Sequence, residues 1–185
     1  MPLNLNTEAA PDGDFHQKLR FNSVGGVWFL KTETGEEKRF PTGFTAVFDM
    51  PELVTGWSRF NGSFLDFVAD LSLESPAPMP LLGEGDDKWK RAFKVLIFAK
   101  PLGGVVEFTH SARAVSAAFA SLYASYEKQA APGMVPVVVC EGDPMKVGDY
   151  YAPKWTISKM VPRPAELSAG AKPAPVAVVA DDEEF

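Results

Sequence analysis

The chain has 185 residues, a formal net charge of −6 and one cysteine. That length allows one domain with extensions and a sizeable core, and a lone Cys140 excludes an internal disulfide and fits a reducing compartment. The charge excludes a strongly basic chain, yet five acids against Lys172 put −4 from Ala165 onward and leave −2 on residues 1–164, so a local basic face is open to the body.

The first 22 residues are polar with scattered apolars and read as an arm or loop. They lack a basic region followed by an apolar run, so no secretory signal is expected, and no apolar stretch has membrane-spanning length. The expected location is the cytoplasm. Residues 27–31, 39–40, 45–48 and 56–60 read as short β-segments between the turn signals Gly25-Gly26, Thr34-Gly35 and Pro41. Asn61-Gly62 is a hairpin-turn pair. A strand is expected over 63–70, and a loop over 75–87, which holds three prolines and two glycines. Residues 92–100 and 105–109 form a predicted hairpin around Pro101-Leu102-Gly103-Gly104. Val115, Phe119, Leu122 and Tyr126 mark one face of a helix over 111–129, with Thr109 or Ser111 as its N-cap. Strands are expected over 135–141 and 154–161, the latter with clean alternation, and Pro162 and Pro164 stop it.

Beyond residue 165 the chain changes character. An Ala/Pro/Val spacer leads to Asp181-Asp182-Glu183-Glu184-Phe185, four acids ending on an aromatic. Like charges keep such a tip extended and solvated, and a bare ring beside them suits a basic-rimmed apolar pocket on a partner. This tail resembles that of single-stranded DNA-binding proteins of bacteria and their phages. The element order from residue 63, three strands, a helix and two strands, resembles their OB fold, a five-stranded Greek-key barrel with its helix between strands 3 and 4. The resemblance implies a mainly β chain with four parts: an N-terminal β-rich elaboration (1–62), an OB-fold core (63–164), a flexible linker (165–180) and an acidic tip (181–185). Residues 1–60 fall outside the bacterial pattern, which points to a bacteriophage-type relative. The implied function is sequence-independent binding of single-stranded DNA in replication, recombination and repair, without catalysis or cofactor. The tip would recruit other DNA-metabolism proteins, and a homo-oligomer is compatible with the family.

Such binding needs cations for phosphates and aromatics on which bases stack. Lys88, Trp89, Lys90, Arg91 and Lys94 supply both at the entrance of one strand. Alternation puts Lys94, Leu96 and Phe98 on one face and Phe93, Val95 and Ile97 on the other, so the first face is the expected groove. Tyr150, Tyr151 and Lys154 form a second candidate group, before the last strand, and Trp57 and Arg59 a third. Trp155, Trp28 and Phe29 suit the core. The bland alternative for the first group is that Lys88, Lys90 and Arg91 are a solvated strand entrance and Trp89 caps the core. Two other functions compete: a β-barrel interaction or structural phage protein without nucleic acid, and a metal-dependent nuclease using Asp66 and Asp70. His16, His110 and Cys140 lack metal-ligand spacing, so no metal site is expected.

Overall fold

The computed structural model describes residues 16–31, 36–60, 65–81 and 88–168. Twelve strands and one α-helix lie in them. In chain order they are β1 (Gln17–Asn22), β2 (Val27–Lys31), β3 (Glu37–Phe40), β4 (Gly43–Phe48), β5 (Val54–Phe60), β6 (Leu65–Ala69), β7 (Lys90–Ala99), β8 (Gly104–His110), α1 (Arg113–Glu127), β9 (Met134–Glu141), β10 (Met145–Val147), β11 (Tyr150–Ala152) and β12 (Trp155–Pro162). Ten strands form one sheet in the order β12-β9-β4-β7-β8-β1-β2-β3, with β5 on β7 and β6 on β5; β10 and β11 form a separate hairpin.

The sheet curls into a half-barrel, and Trp28 shows why. On a flat sheet, six strand spacings would put β2 about 29 Å from β12. Instead the Trp28 ring lies 6.1 Å from Trp155 of β12, and 5.0, 5.4 and 5.1 Å from Phe21, Phe44 and Phe108. One large buried side chain draws β1, β4, β8 and β12 around it. Helix α1 covers the concave side with the expected stripe: Val115, Phe119, Leu122 and Tyr126 are buried, and Phe119 stacks on Phe93 at 3.9 Å. The helix has no side-chain N-cap. His110 substitutes for it, its Nδ1 accepting the Ala112 N–H at 3.0 Å.

β4 and β5 behave as one long strand broken at a 3-10 turn, Met50–Glu52. Both lie antiparallel on β7, which they meet at Phe48↔Ile97 and Val54↔Lys94. β4 also pairs with β9, which makes it the hinge of the curl. The corner before it requires a glycine: Gly43 has φ +76, and an added Cβ would overlap the Cys140 carbonyl.

Several expectations change. Residues 17–22, read as arm or loop, form β1, which pairs parallel with β8 and antiparallel with β2. The barrel of five strands becomes an open sheet of ten strands with a separate two-stranded hairpin, and the helix follows the eighth strand rather than the third. The boundary expected at residue 62 falls between β5 and β6, inside one sheet. The last strand has a bulge between Ile157 and Lys159, so its alternation is not clean. The linker does not begin at 165: Ala165–Ser168 form a 3-10 turn with Leu167 buried. Asn61-Gly62, the rest of the linker and the acidic tip lie outside the described residues. Among the described residues no helix is long and apolar enough to cross a membrane.

Candidate nucleic-acid interface

β7 and the two residues before it carry the first candidate group, and the sheet delivers the third to it. Trp57 stands opposite Arg91 and Ser58 opposite Lys90 across the β5–β7 ladder, although some thirty residues separate them in sequence. The two faces of this ladder differ in chemistry.

On the concave-side face, cations and aromatics are tied to one another. The Arg91 guanidinium lies 5.1 Å over the Trp57 ring, and that of Arg59 lies 4.8 Å over Trp89. Both arginines are also held by carboxylates. Arg91 makes a two-pronged contact with Asp70, at 2.8 and 2.5 Å, and Arg59 reaches Asp66 at 3.0 Å. Asp70 further accepts from the Thr55 hydroxyl at 2.6 Å and the Ala77 N–H at 2.9 Å. The Arg91 guanidinium, with Thr55 and Ala77, holds the Asp70 carboxyl well below the usual carboxylate range against the opposing effect of burial. The Trp57 Nε1 donates to the Ala77 carbonyl at 2.9 Å. This network clamps the segment after β6 onto β5 and β7. Arg59, Arg91 and Trp57 therefore have structural partners before any ligand arrives.

On the convex face the cations are less engaged. Phe93, Val95 and Ile97 are buried, as alternation requires, and Lys94, Leu96 and Phe98 face outward, half-buried. The Lys94 Nζ lies 4.9 Å over the Phe67 ring. Lys90 and Phe67 both stand opposite Ser58, on its two sides, so they share this face. Lys88 is exposed beside them in sequence, and Trp89 is half-buried with an indole N–H that has no partner among the described residues.

The second candidate group sits elsewhere. Tyr150 and Tyr151 lie on the β10–β11 hairpin. Tyr150 is 55% exposed. The Tyr151 N–H donates to the Ser23 carbonyl at 2.7 Å, which seats the hairpin on the β1–β2 turn. Lys154 donates to Asp143 at 3.3 Å and lies 4.0 Å from Glu141. It also lines a groove of about 560 Å³ between α1 and β12, with Ser121, Ser125, Gln129 and Trp155. Trp155 joins the core aromatics through Phe48, Phe108 and Phe119. Burial pushes the Cys140 thiol far up, so it is not a ready nucleophile.

Asp66 and Asp70, the candidate nuclease acids, are the carboxylates that hold Arg59 and Arg91. Among the described residues no three His, Cys, Asp or Glu side chains gather as metal ligands would. The candidate partner-binding residues Asp181, Asp182, Glu183, Glu184 and Phe185 lie outside the described residues.

Sequence reasoning missed the convex-face cations of β1–β3 and put Phe29 in the core, whereas alternation with buried Trp28 and Leu30 turns it to the convex face. Lys18 and Arg20 alternate with buried Leu19 and Phe21, and Phe29 and Lys31 with buried Trp28 and Leu30. Period-two alternation was the available signal. Their placement beside β8 had none, because a parallel pairing across some ninety residues leaves no local trace. No protein-family model, curated protein or solved structure matches the chain.

Proposed function

We propose that this protein binds single-stranded DNA without sequence preference, as a non-enzymatic protein of replication, recombination and repair. The observation that carries the reading is the convex face of β7, where Lys90 and Lys94 flank the half-exposed Phe67 ring. Lysines serve phosphates and an outward ring serves a base. Each stacked base contributes roughly 1–3 kcal/mol. Lys88 adjoins this face in sequence, while Trp89, Arg91, Trp57 and Arg59, on the opposite face, brace the strands that carry it, and Tyr150, Tyr151 and Lys154 form a second, separate contact area.

An OB-type count supports the choice of face. With β4 and β5 taken as one interrupted strand, β7 and β8 are strands two and three, α1 follows, and β9 and β12 are four and five. OB folds bind oligonucleotides on strands two and three and on the connections one–two and four–five. In this count those connections are β6 with residues 70–89, and the β10–β11 hairpin. The acidic tip recruits partner proteins and competes weakly for the same cations.

The competing reading is an interaction or structural protein without nucleic acid. It draws on the salt-bridged Arg59 and Arg91, which have carboxylates already. Titration of fluorescent oligo-dT against an equal-length duplex, over several salt concentrations, separates the two. Single-strand preference with affinity falling as salt rises supports DNA binding, and Lys90→Glu/Lys94→Glu then weakens it at least tenfold. An intact chain that ignores oligo-dT even at low salt overturns it.

A further inference from the structure

We infer that strands β1–β3 continue the nucleic-acid path, through a cross-strand row formed by Lys94, Thr109, Arg20, Phe29 and Arg39. This rests on the DNA-binding reading above and names where the strand goes after it leaves β7.

The register defines the row. Lys94 stands opposite Thr109 on β8. The β1–β8 ladder reaches Leu19↔Phe108, so Arg20 comes one position later, beside Thr109. The two strands stay adjacent there, since the His110 Nε2 lies 3.2 Å from the Phe21 carbonyl. Arg20 then stands opposite Phe29, and Phe29 opposite Arg39. The neighbours Val95, Phe108, Leu19, Phe21, Trp28 and Phe40 are all buried, so alternation turns every member of the row to the convex face. Five strands span about 19 Å across the sheet.

The composition of the row sets it apart from an ordinary solvated face. It runs cation, hydroxyl, cation, aromatic, cation, and contains no acid. The next row along the same face is Glu107, Lys18, Lys31 and Glu37, which is charge-balanced. There Lys18 is bonded to Glu107 at 2.5 Å. Among the described residues Lys94 and Arg20 have no ion pair, and the Arg39 side chain is 70% exposed with Glu37 no nearer than 3.7 Å. Acids of the next row thus touch this one from one side, Glu107 accepting the Thr109 hydroxyl at 3.0 Å and Glu37 pairing with the exposed Arg39, and leave Lys94 and Arg20 without an acid among the described residues. Phe29 is half-exposed and lies between two guanidinium-bearing positions. A ring between cations offers a base a stacking surface and its flanking phosphates two partners. A duplex keeps its bases stacked inside and cannot use the ring, which is why the occupant is a single strand.

The test compares three full-length proteins: the natural chain, Arg20→Gln/Arg39→Gln, and Lys90→Gln/Lys94→Gln. Glutamine keeps part of each stem, and circular dichroism checks that the fold is retained. Each is titrated with fluorescent oligo-dT of about 16 nucleotides, the upper site size for one OB fold, over a salt series. Loss of two phosphate contacts makes the log–log salt slope shallower by about 1.4. The inference predicts that change in both variants. A slope that moves only for Lys90→Gln/Lys94→Gln overturns the extension onto β1–β3 and leaves DNA binding on β7 standing. A natural chain that binds no oligo-dT overturns both. Binding of anionic vesicles that is lost in Arg20→Gln/Arg39→Gln, without any oligo-dT binding, assigns the row to a membrane surface and also overturns it.

Discussion

Arg163 grips Asp49 with two hydrogen bonds, 2.9 Å from Nε and 2.7 Å from Nη2, across 114 residues of sequence. Asp49 is fully buried at the break between β4 and β5, and Arg163 follows directly on β12. The same guanidinium donates to the Ser168 hydroxyl at 3.1 Å and the Leu167 carbonyl at 3.3 Å. One side chain thus fastens the last described turn to the strand break that lets the sheet curl. Arg163→Ala would leave a buried carboxylate without its cation, which costs about 3 kcal/mol. In a chain of this size the expected fall in Tm is roughly 6–12 °C. Thermal unfolding by circular dichroism checks it, and a change under 2 °C would show that water replaces the guanidinium.

A second prediction concerns the clamp on residues 70–77. Asp70 has a side chain 2% exposed, but Arg91 is 44% exposed, so the guanidinium can rehydrate when its partner is lost. Asp70→Asn is therefore expected to cost only about 1–3 kcal/mol. Its pH signature is clearer. The carboxyl is held below its unfolded value, so its contribution is complete above the ordinary carboxylate range and is lost as pH falls through and below that range. Urea midpoints from pH 6 to pH 3 should fall less steeply for Asp70→Asn than for the natural chain. Parallel curves would disprove the linkage.

His110 titrates in a different window. Its Nδ1 accepts the Ala112 N–H, so the proton of the neutral ring sits on Nε2 and points at the Phe21 carbonyl. Burial lowers its tendency to take a second proton, opposed by that carbonyl. A charge there would also face the N-terminus of α1, where cations are disfavoured. The folded value lies below the unfolded one near 6.5, so the unfolded chain binds more protons as pH drops beneath it. Stability from this group is whole above about pH 7 and declines below 6.5. His110→Gln should flatten the stability profile between pH 7 and 5.5, and an unaltered profile would remove His110 from the account.

Gly43→Ala tests the corner before β4. Positive φ costs an L-residue about 1 kcal/mol or more, and the new methyl would meet the Cys140 carbonyl with no flexible side chain to yield. A loss of at least about 3 kcal/mol is expected. A milder loss, measured by urea unfolding, would mean that the β3–β4 corner shifts away from β9.

Most strands and the helix were legible because each carries its own period. The Val115–Phe119–Leu122–Tyr126 stripe and the Phe93–Val95–Ile97 face needed no partner to be recognised. What could not be read was which strands meet. β1 looked like a polar arm because two of its three apolar-facing positions are outnumbered by Lys18, Arg20 and Asn22. β10 and β11 have only three residues each, too few for alternation to show. The site divided in the same way. Lys94 was assigned the right face by parity alone, whereas the capture of Arg59 and Arg91 by Asp66 and Asp70 depends on pairings between segments and could not be seen in the sequence.

The parallel pairing of β1 with β8 also has a consequence for how the chain is made. β1 is synthesised first and can zip locally to β2 and β3, but Leu19 waits for Phe108 before its own side of the sheet is covered. At 5–20 residues per second, that wait is about 4–18 s on the ribosome. During it, Trp28 has neither Phe108 nor Trp155 to pack against. Nascent chains in which β8 has not yet emerged are thus expected to bind holdase chaperones through this early meander and to let go once it does.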